Sequence, residues 1–124
     1  MTLHKMNLSE PHFTDVVSGA KIYEIRIHDS KRRKIFLDDF ITFTNLDQKN
    51  QVKCKVVEII LGDSFKEIIE YCKLENVVPN MKTVNEAIKL YENIPHQEFA
   101  EKGITTYKDA AKHFGIVAFK LELV

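Results

Sequence analysis

The chain has 124 residues, of which 44% are hydrophobic and 29% charged, a composition typical of folded globular proteins that excludes a disordered or fibrous chain. This length predicts one domain over residues 1–124, able to bury roughly two-thirds of the surface that the unfolded chain exposes. The formal net charge is zero, which argues against a protein that holds long polyanions through general basicity.

The sequence also limits where the protein is expected to work. No apolar run approaches the roughly 20 residues that a membrane span needs, and the first residues lack the apolar core of a signal peptide. Cys54 lies in a strand pattern and Cys72 in a helix pattern, so both are expected to be buried hydrophobic residues in a reducing compartment. The five histidines show no metal-ligand spacing with these cysteines. We therefore expect a cytoplasmic protein with no membrane association, no metal and no cofactor.

In the first half of the chain, alternating apolar residues predict four strands, and one helix pattern interrupts them. The helix begins near residues 9–11, turns Phe13, Val16 and Val17 towards the core, and ends at Gly19. The last of these strands finishes in an apolar run that predicts deep burial at its far end. The predicted strands span residues 3–8, 21–28, 39–44 and 53–61.

Helix start signals stand out in the second half. Ser64 with Glu67, and Thr83 with Glu86, have the spacing of capping boxes, in which a hydroxyl and a carboxylate satisfy free amides of the first turn. A third helix is predicted over residues 106–114, followed by a last strand over 116–124. The mixture of strands and helices without regular β–α–β alternation predicts an α+β fold, a small mixed barrel with flanking helices. The predicted inner faces are Phe65, Ile68, Ile69 and Cys72; Val84, Ala87, Ile88 and Tyr91; and Tyr107, Ala110, Ala111 and Phe114.

A group of charges at the start of the second predicted strand forms the most specific motif in the chain. Lys21, Glu24 and Arg26 follow Gly19, and long charged side chains near a core are costly unless they pair or bind a ligand. In a regular strand Glu24 and Arg26 share one face, while Tyr23 points to the other. The side chain of Lys21 can still approach that of Glu24, because the backbone next to the glycine need not follow the regular alternation of the strand. The alternative interpretation is a solvated edge strand with a surface ion pair.

This motif, G-x-K-x-x-E-x-R, and the segments that follow it resemble the ASCH (activating signal cointegrator homology) family. A loop with Asp29 and Arg33 comes next, then a strand that opens at Asp39 like the family's G-D-x-I-x-F strand. Asp38 stands where a glycine is usual, and aspartate tolerates a left-handed turn better than most residues. Residues 64–66, 79–91 and 115–119 extend the resemblance over essentially the whole chain. The resemblance implies a PUA-like β-barrel, a superfamily associated with RNA and modified nucleosides.

The resemblance also implies a ligand site at the motif. We expect a cleft lined by Lys21, Glu24 and Arg26 that binds RNA or a modified nucleoside or nucleotide, with Tyr23 in the core or as a stacking platform. One branch of the family comprises amidohydrolases that remove the acetyl group from N4-acetylcytidine, using a lysine, a threonine and a glutamate. Lys21 matches that lysine, but Glu24 occupies the place of the threonine and cannot act as the same hydroxyl nucleophile. The substitution favours binding over this hydrolysis.

A basic run over residues 31–34 follows the motif. The resemblance implies that Arg32 and Arg33 position phosphates beside the cleft, and a solvated loop is the alternative. Two other functions are weighed beside binding. One is a hydrolase on acylated nucleosides, or a ribonuclease, with Lys21 and Glu24 as catalytic residues; the other is a protein-interaction domain. Residues 94–105 are expected to form a surface connection, with a lid over the barrel as the alternative.

Overall fold

The computed structural model describes residues 1–96 and 100–124 of the chain. Within these ranges five strands form one mixed sheet in the order β1-β3-β4-β5-β2, flanked by five α-helices. The predicted α+β class, with a barrel-like sheet and flanking helices, is confirmed. The strands are β1 (Leu3–Leu8), β2 (Tyr23–Ile27), β3 (Phe40–Asn45), β4 (Gln51–Gly62) and β5 (Ile116–Leu123). The helices are α1 (His12–Val17), α2 (Phe65–Cys72), α3 (Leu74–Val77), α4 (Val84–Glu92) and α5 (Tyr107–Phe114).

The two edges of the sheet approach each other. β1 runs parallel to β3, and the other neighbouring strands pair antiparallel, which leaves β1 and β2 as the edges. Arg26 in β2 donates a hydrogen bond from Nη2 to the main-chain oxygen of Asn7 in β1 at 2.7 Å. A side chain therefore bridges the gap between β1 and β2, and the candidate site lies at this gap.

Hydrophobic clusters fill both sides of the curled sheet. On the inner side, residues of β1, β3, β4 and β5 pack with α1. On the outer side, alternate residues of β2, from Tyr23 to Ile27, pack against α2, α4 and α5. Because side chains alternate along a strand, Glu24 and Arg26 point to the inner side, towards the gap. The packing of β2 thus decides which of its residues can form a site.

Local sequence signals account for the helix starts. The residue before each of α2, α4 and α5 is a serine or threonine whose hydroxyl accepts from the amide three residues later, at 3.1 to 3.3 Å. Each of these helices therefore has a capped first turn. The predicted inner face of α2 is buried at all four positions. Helix α3 was not predicted, because its four residues are too few for a helical period to show.

Three expectations from the sequence are wrong. Val17 is 49% exposed rather than buried, since α1 ends at this residue. β2 begins at Tyr23, two residues later than predicted, which leaves Lys21 outside the pleat. The far end of β4 is not deeply buried, and Leu61 is 58% exposed. The reason is that β3 pairs with β4 only as far as Lys55 and leaves the far end uncovered on that side.

The cysteines behave as buried hydrophobic residues, as predicted, and both are free. Burial raises the pKa of Cys54 to about 11 and that of Cys72 to about 12, so both thiols stay protonated at neutral pH. Of the predicted connection over residues 94–105, residues 97–99 lie outside the described ranges. On either side of them the amide of His96 donates to the main-chain oxygen of Thr105 at 2.8 Å. None of the helices in the described ranges combines the length and apolar character needed to cross a bilayer.

Candidate functional site

Lys21, Glu24 and Arg26 form one buried network of ion pairs beside the gap. Oε2 of Glu24 accepts from Nε of Arg26 at 2.9 Å and lies 2.8 Å from its Nη2. Oε1 of Glu24 lies 3.3 Å from Nζ of Lys21. The side chains of Lys21 and Glu24 are 0% and 5% exposed, and that of Arg26 is 14% exposed. The carboxylate is thus held between two cations, with Arg26 closer to solvent.

Lys21 reaches Glu24 because it precedes the pleated part of β2. Its amide donates to the main-chain oxygen of Asp15 in α1 at 2.9 Å. Gly19, at a φ of 83°, makes the left-handed turn that brings the chain back from α1 to this position. The ammonium of Lys21 then donates to the main-chain oxygen of Val77 at 2.7 Å. Lys21 therefore links α3 to the start of β2 through this hydrogen bond, and it also balances the charge of Glu24.

Burial and mutual attraction together set the protonation of this network. Burial lowers the pKa of Lys21, and Glu24 offsets the effect only in part. Burial raises the pKa of Glu24, but Arg26 and Lys21 outweigh it, so this pKa lies below its ordinary value. Burial lowers the pKa of Arg26, yet Glu24 outweighs it and the net change is upward. Glu24 and Arg26 are consequently both charged at neutral pH.

A cavity of about 390 Å³ opens at the gap. Glu24 and Arg26 form its charged wall, and the rest comes from the end of β1, the start of α1, Leu46 after β3, residues of α4 and just after it, and the first residue of α5. Most of the remaining wall is apolar, with side chains such as Leu8, Leu46 and Leu90. A mostly apolar cavity of this size with a few convergent polar groups is typical of small-molecule sites.

Two tyrosines and a histidine that sequence reasoning did not assign to the site also line this cavity. Tyr91 and Tyr107 are 4% and 9% exposed, and their hydroxyls make no hydrogen bond to the described residues. Burial raises the pKa of Tyr91, and Glu24 adds to the effect. Burial lowers the pKa of His12, and Lys21 adds to this, so the imidazole is mainly neutral at pH 7. The helical period showed that both tyrosines face inward, but no local pattern indicated a cavity there.

Two residues expected at the ligand site lie away from the cavity wall. Lys21 sits behind Glu24, and its ammonium is enclosed. Tyr23 points to the outer side of the sheet, where its hydroxyl donates to Oε1 of Glu58 at 2.8 Å. An influence of Lys21 on a ligand in this cavity would therefore act through the position and charge of Glu24.

The basic run after the motif forms a turn of 3-10 helix at a different place. Arg32 pairs with the buried carboxylate of Asp29 at 2.9 Å. Arg33 donates to the main-chain oxygen of Phe114 at 2.9 Å, at the C-terminal end of α5, where a cation is favourable. Tyr107, the first residue of α5, lines the cavity, so about 10 Å of helix separates the turn from it. The turn and the cavity are separate surfaces.

The sequence model of the ASCH domain matches residues 6–124. The chain belongs to the ASCH domain family. The family resemblance indicated by the motif is thereby confirmed, and ASCH and PUA-like domains are generally RNA-binding. A search of curated proteins finds no significant match to this ASCH domain.

Solved structures share the fold of this ASCH domain. The crystal structure of hypothetical protein PH0355 is 33% identical in sequence, with a TM-score of 0.77 and 100% of both chains covered. The solution NMR structure of protein PF0455 from Pyrococcus furiosus is 28% identical, with a TM-score of 0.67 over 99% of this chain and 98% of that one. A crystal structure of a ZmASCH mutant protein from Zymomonas mobilis is 15% identical, with a TM-score of 0.59 over 98% of this chain and 68% of that one. The similarities confirm a PUA-like fold.

Proposed function

We propose that this ASCH domain binds a nucleobase, carried by RNA or by a modified nucleoside or nucleotide, in the cavity between β1 and β2. The observation that supports this most directly is the combination of a fixed ionic wall with two tyrosines, 4% and 9% exposed, that line the same cavity. The hydroxyls of both tyrosines make no hydrogen bond to the described residues, so a ligand in the cavity can bond to them.

The free polar atoms in the wall suit the edge of a base. Nε and Nη2 of Arg26 are occupied by Glu24 and by the main-chain oxygen of Asn7, whereas Nη1 has no hydrogen-bond partner in the described ranges. Nη1 and the hydroxyls of Tyr91 and Tyr107 are donors for carbonyl oxygens or for acceptor ring nitrogens, and every base carries at least one of these acceptors. The tyrosine rings and the leucine side chains supply an apolar surface for a planar ring.

The Arg26–Glu24 pair is pre-organised for this role. Both side chains are held by hydrogen bonds within the protein, so binding need not order them. The guanidinium is also tied to the opposite sheet edge, which fixes its plane relative to the cavity. A general RNA-binding role of the family agrees with a base as the recognised group.

A titration with nucleosides and RNA tests the proposal. Calorimetry would measure binding of the four common nucleosides, N4-acetylcytidine and short single-stranded RNAs to the purified protein. Arg26→Lys keeps the charge but loses the planar fork, and we expect at least about a tenfold loss of affinity. Tyr107→Phe keeps the ring and removes the hydroxyl, and we expect a loss of roughly three- to tenfold.

The matched control for Arg26→Lys is Arg33→Lys in the basic turn, which should leave binding of a nucleoside unchanged. Circular dichroism would establish that each variant is folded. Chromatography of the incubated nucleosides would show in the same samples whether a bound nucleoside is converted. The proposal is wrong if the parent protein binds none of these ligands, or if folded Arg26→Lys binds them all as tightly as the parent does.

A further inference from the structure

The far half of β4 has an open edge. β3 pairs with β4 only as far as Lys55, and one further bond, from the amide of Val56 to the main-chain oxygen of Asp39, ends the contact. β5 continues along the other side of β4 to Gly62. Over residues 57–62, about 20 Å of strand, β4 thus has a neighbouring strand on one side and none on the other within the described ranges.

The hydrogen bonds of β5 show which residues of β4 face this open edge. The amide of Leu121 donates at 2.8 Å to the residue that precedes β2. Main-chain groups of successive residues point to opposite neighbours, so Lys120 points to β4, and its partner Glu58 points back to β5. By the same alternation the N–H and C=O groups of Ile59 and Leu61 point to the open edge. They make no hydrogen bond on that side within the described ranges.

The side chains at the open edge differ between the two faces of the sheet. On the inner side, Ile59 packs with the inner cluster, and Leu61 is 58% exposed. On the outer side, Glu58 lies beside α2, and Glu67 and Tyr71 of that helix help to line a cavity of about 350 Å³ at the edge. The described lining contains these two carboxylates and no lysine or arginine. The edge is therefore apolar on one face and acidic on the other.

Most of the features that keep an exposed edge from pairing are missing here. Natural sheets protect their edges with lysines, prolines, bulges or a covering segment, because unpaired main-chain groups are a template for another strand. The register of β4 shifts at Val57, but residues 57–62 contain no lysine, arginine or proline. An apolar edge of this length is a typical place for the addition of a strand.

We infer that this edge of β4 is a docking site for another protein, which adds an extended segment that alternates apolar residues with lysine or arginine. Its main chain bonds to Ile59 and Leu61, and its apolar side chains extend the inner face beside them. Its cations face Glu58 and Glu67 on the outer side, where opposite charges on neighbouring strands are favourable. Oε1 of Glu58 accepts from the hydroxyl of Tyr23 at 2.8 Å, whereas Oε2 has no partner in the described ranges and can accept from such a cation.

A second copy of this chain fits the edge less well. Its own open edge would bring a further Glu58 and Glu67 to the pairing, and like charges on adjacent strands are destabilising. The docking site is also a separate surface from the cavity between β1 and β2, since the described linings of the two share no residue. The inference therefore does not depend on the binding of a nucleobase.

The test uses a labelled, terminally blocked peptide of alternating valine and lysine, followed by fluorescence anisotropy. Two control peptides carry glutamate in place of lysine, or the same residues in one block of valines and one of lysines. We expect the alternating lysine peptide to bind at least about tenfold more tightly than either control. The block peptide has the same charge, so it measures attraction without strand pairing.

Variants of the protein test the edge itself. Leu61→Pro removes an N–H that faces the open edge and keeps the bonds to β5, and we expect at least about a tenfold loss of affinity. Leu61→Ala keeps the N–H and should lose less than about threefold. Glu58→Gln keeps an acceptor for Tyr23 and should narrow the difference between the lysine and glutamate peptides by about fivefold. Glu70→Gln, on the exposed side of α2, should change none of these affinities.

Circular dichroism would establish that each variant is folded. If Leu61→Pro does not fold, hydrogen exchange at the amides of Ile59 and Leu61 in the parent protein replaces it, and bound peptide should slow both. The inference is overturned if the alternating lysine peptide does not bind, if it binds no better than the block peptide, or if folded Leu61→Pro or the exchange rates show no effect. A dimer in sedimentation velocity that Leu61→Pro dissociates would overturn it too, because the edge would then be occupied by a second copy.

Discussion

Two charged regions follow one another in this chain, and they lie in different environments in the structure. Lys21, Glu24 and Arg26 lie almost enclosed beside a gap in the sheet, and each charge has an opposite charge within 3.3 Å. The basic turn lies on the surface, where Arg32 pairs with Asp29 and the neighbouring lysines are exposed. Both regions were expected to bind the ligand; Glu24 and Arg26 of the first region line the cavity at the gap between β1 and β2, and no residue of the basic turn lines that cavity. The position of the charges relative to an opening therefore matters more than their number.

Energetics explain why the first region is the better candidate. Holding three charges out of water is costly, and replacing a buried ion network with apolar residues is often neutral or stabilising. Such a network at the wall of a cavity is therefore a reasonable sign of a binding role, which is a hypothesis that variants can test. The exposed cations of the basic turn, Lys31, Arg33 and Lys34, have no comparable cost, because they stay hydrated.

The largest effect is expected from Glu24→Ala. The substitution leaves Lys21 and Arg26 as buried like charges, and we expect the free energy of unfolding to fall by about 3–5 kcal/mol. Lys21→Met should cost less, about 1–2 kcal/mol, because Glu24 keeps its bonds to Arg26. Urea unfolding followed by circular dichroism measures both.

The control for Glu24→Ala is Glu70→Ala, which removes an exposed pair with Lys66 at 4.0 Å. We expect this variant to change the free energy of unfolding by less than about 0.5 kcal/mol. If Glu24→Ala is as mild as its control, the buried network does not hold the sheet edges together and the contrast between the two regions fails.

Within the basic turn, two arginines should behave differently. Arg32→Ala leaves the carboxylate of Asp29, a residue only 2% exposed, without its cation, and we expect a loss of about 1–3 kcal/mol in unfolding free energy. Arg33→Ala removes one exposed hydrogen bond to the oxygen of Phe114 and should cost less than about 1 kcal/mol. Thermal and urea unfolding of the two variants measure the difference.

The same two variants test the expected contact of the turn with phosphates. If RNA binding is detected, the slope of log affinity against log salt should fall by about one for each phosphate contact that is lost. We expect no change for Arg32→Ala, whose guanidinium is already paired. A flatter slope for Arg33→Ala would make the turn a second ligand-binding surface, and equal slopes for both variants and the parent would assign it a structural role.

The smallest effect is expected in acid, in the loop between the turn and β3. Asp39 is buried, which raises its pKa, but hydrogen bonds from the amides of Phe36 and Thr2 and from His4 outweigh this and bring it to about 2. Since the folded pKa lies below the ordinary value, the carboxylate stabilises the fold above about pH 4, and the contribution is lost as the pH falls towards about 2. The melting temperature of Asp39→Asn should therefore depend less steeply on pH between about 2 and 4 than that of the parent protein.

The control for Asp39→Asn is Asp63→Asn, at an exposed residue between β4 and α2. This substitution should leave the pH dependence of the melting temperature unchanged between about pH 2 and pH 5. An Asp39→Asn profile as steep as that of the parent would show that other carboxylates, such as Glu24, carry the acid sensitivity.

The secondary structure and turns of this protein were largely predictable from the sequence. Strand β1, the starts of α2 and α4, the helix over residues 106–114 and the left-handed Asp38 with φ of 71° follow from neighbouring residues. Alternation, capping and turn preference act over a few residues, so they can be read without the fold. The family resemblance was also contained in the spacing of Lys21, Glu24 and Arg26.

The composition of the candidate site depends on how distant parts of the chain pack together. Tyr91 and Tyr107 belong to different helices, and they meet Arg26 only because α4 and α5 pack beside the edge of β2. The enclosed position of Lys21 depends on the path between α1 and β2, and the exposure of Leu61 depends on where β3 stops pairing. Cavities and ion networks arise from contacts between residues far apart in the chain. The strength of such contacts depends on burial, which local sequence patterns do not determine.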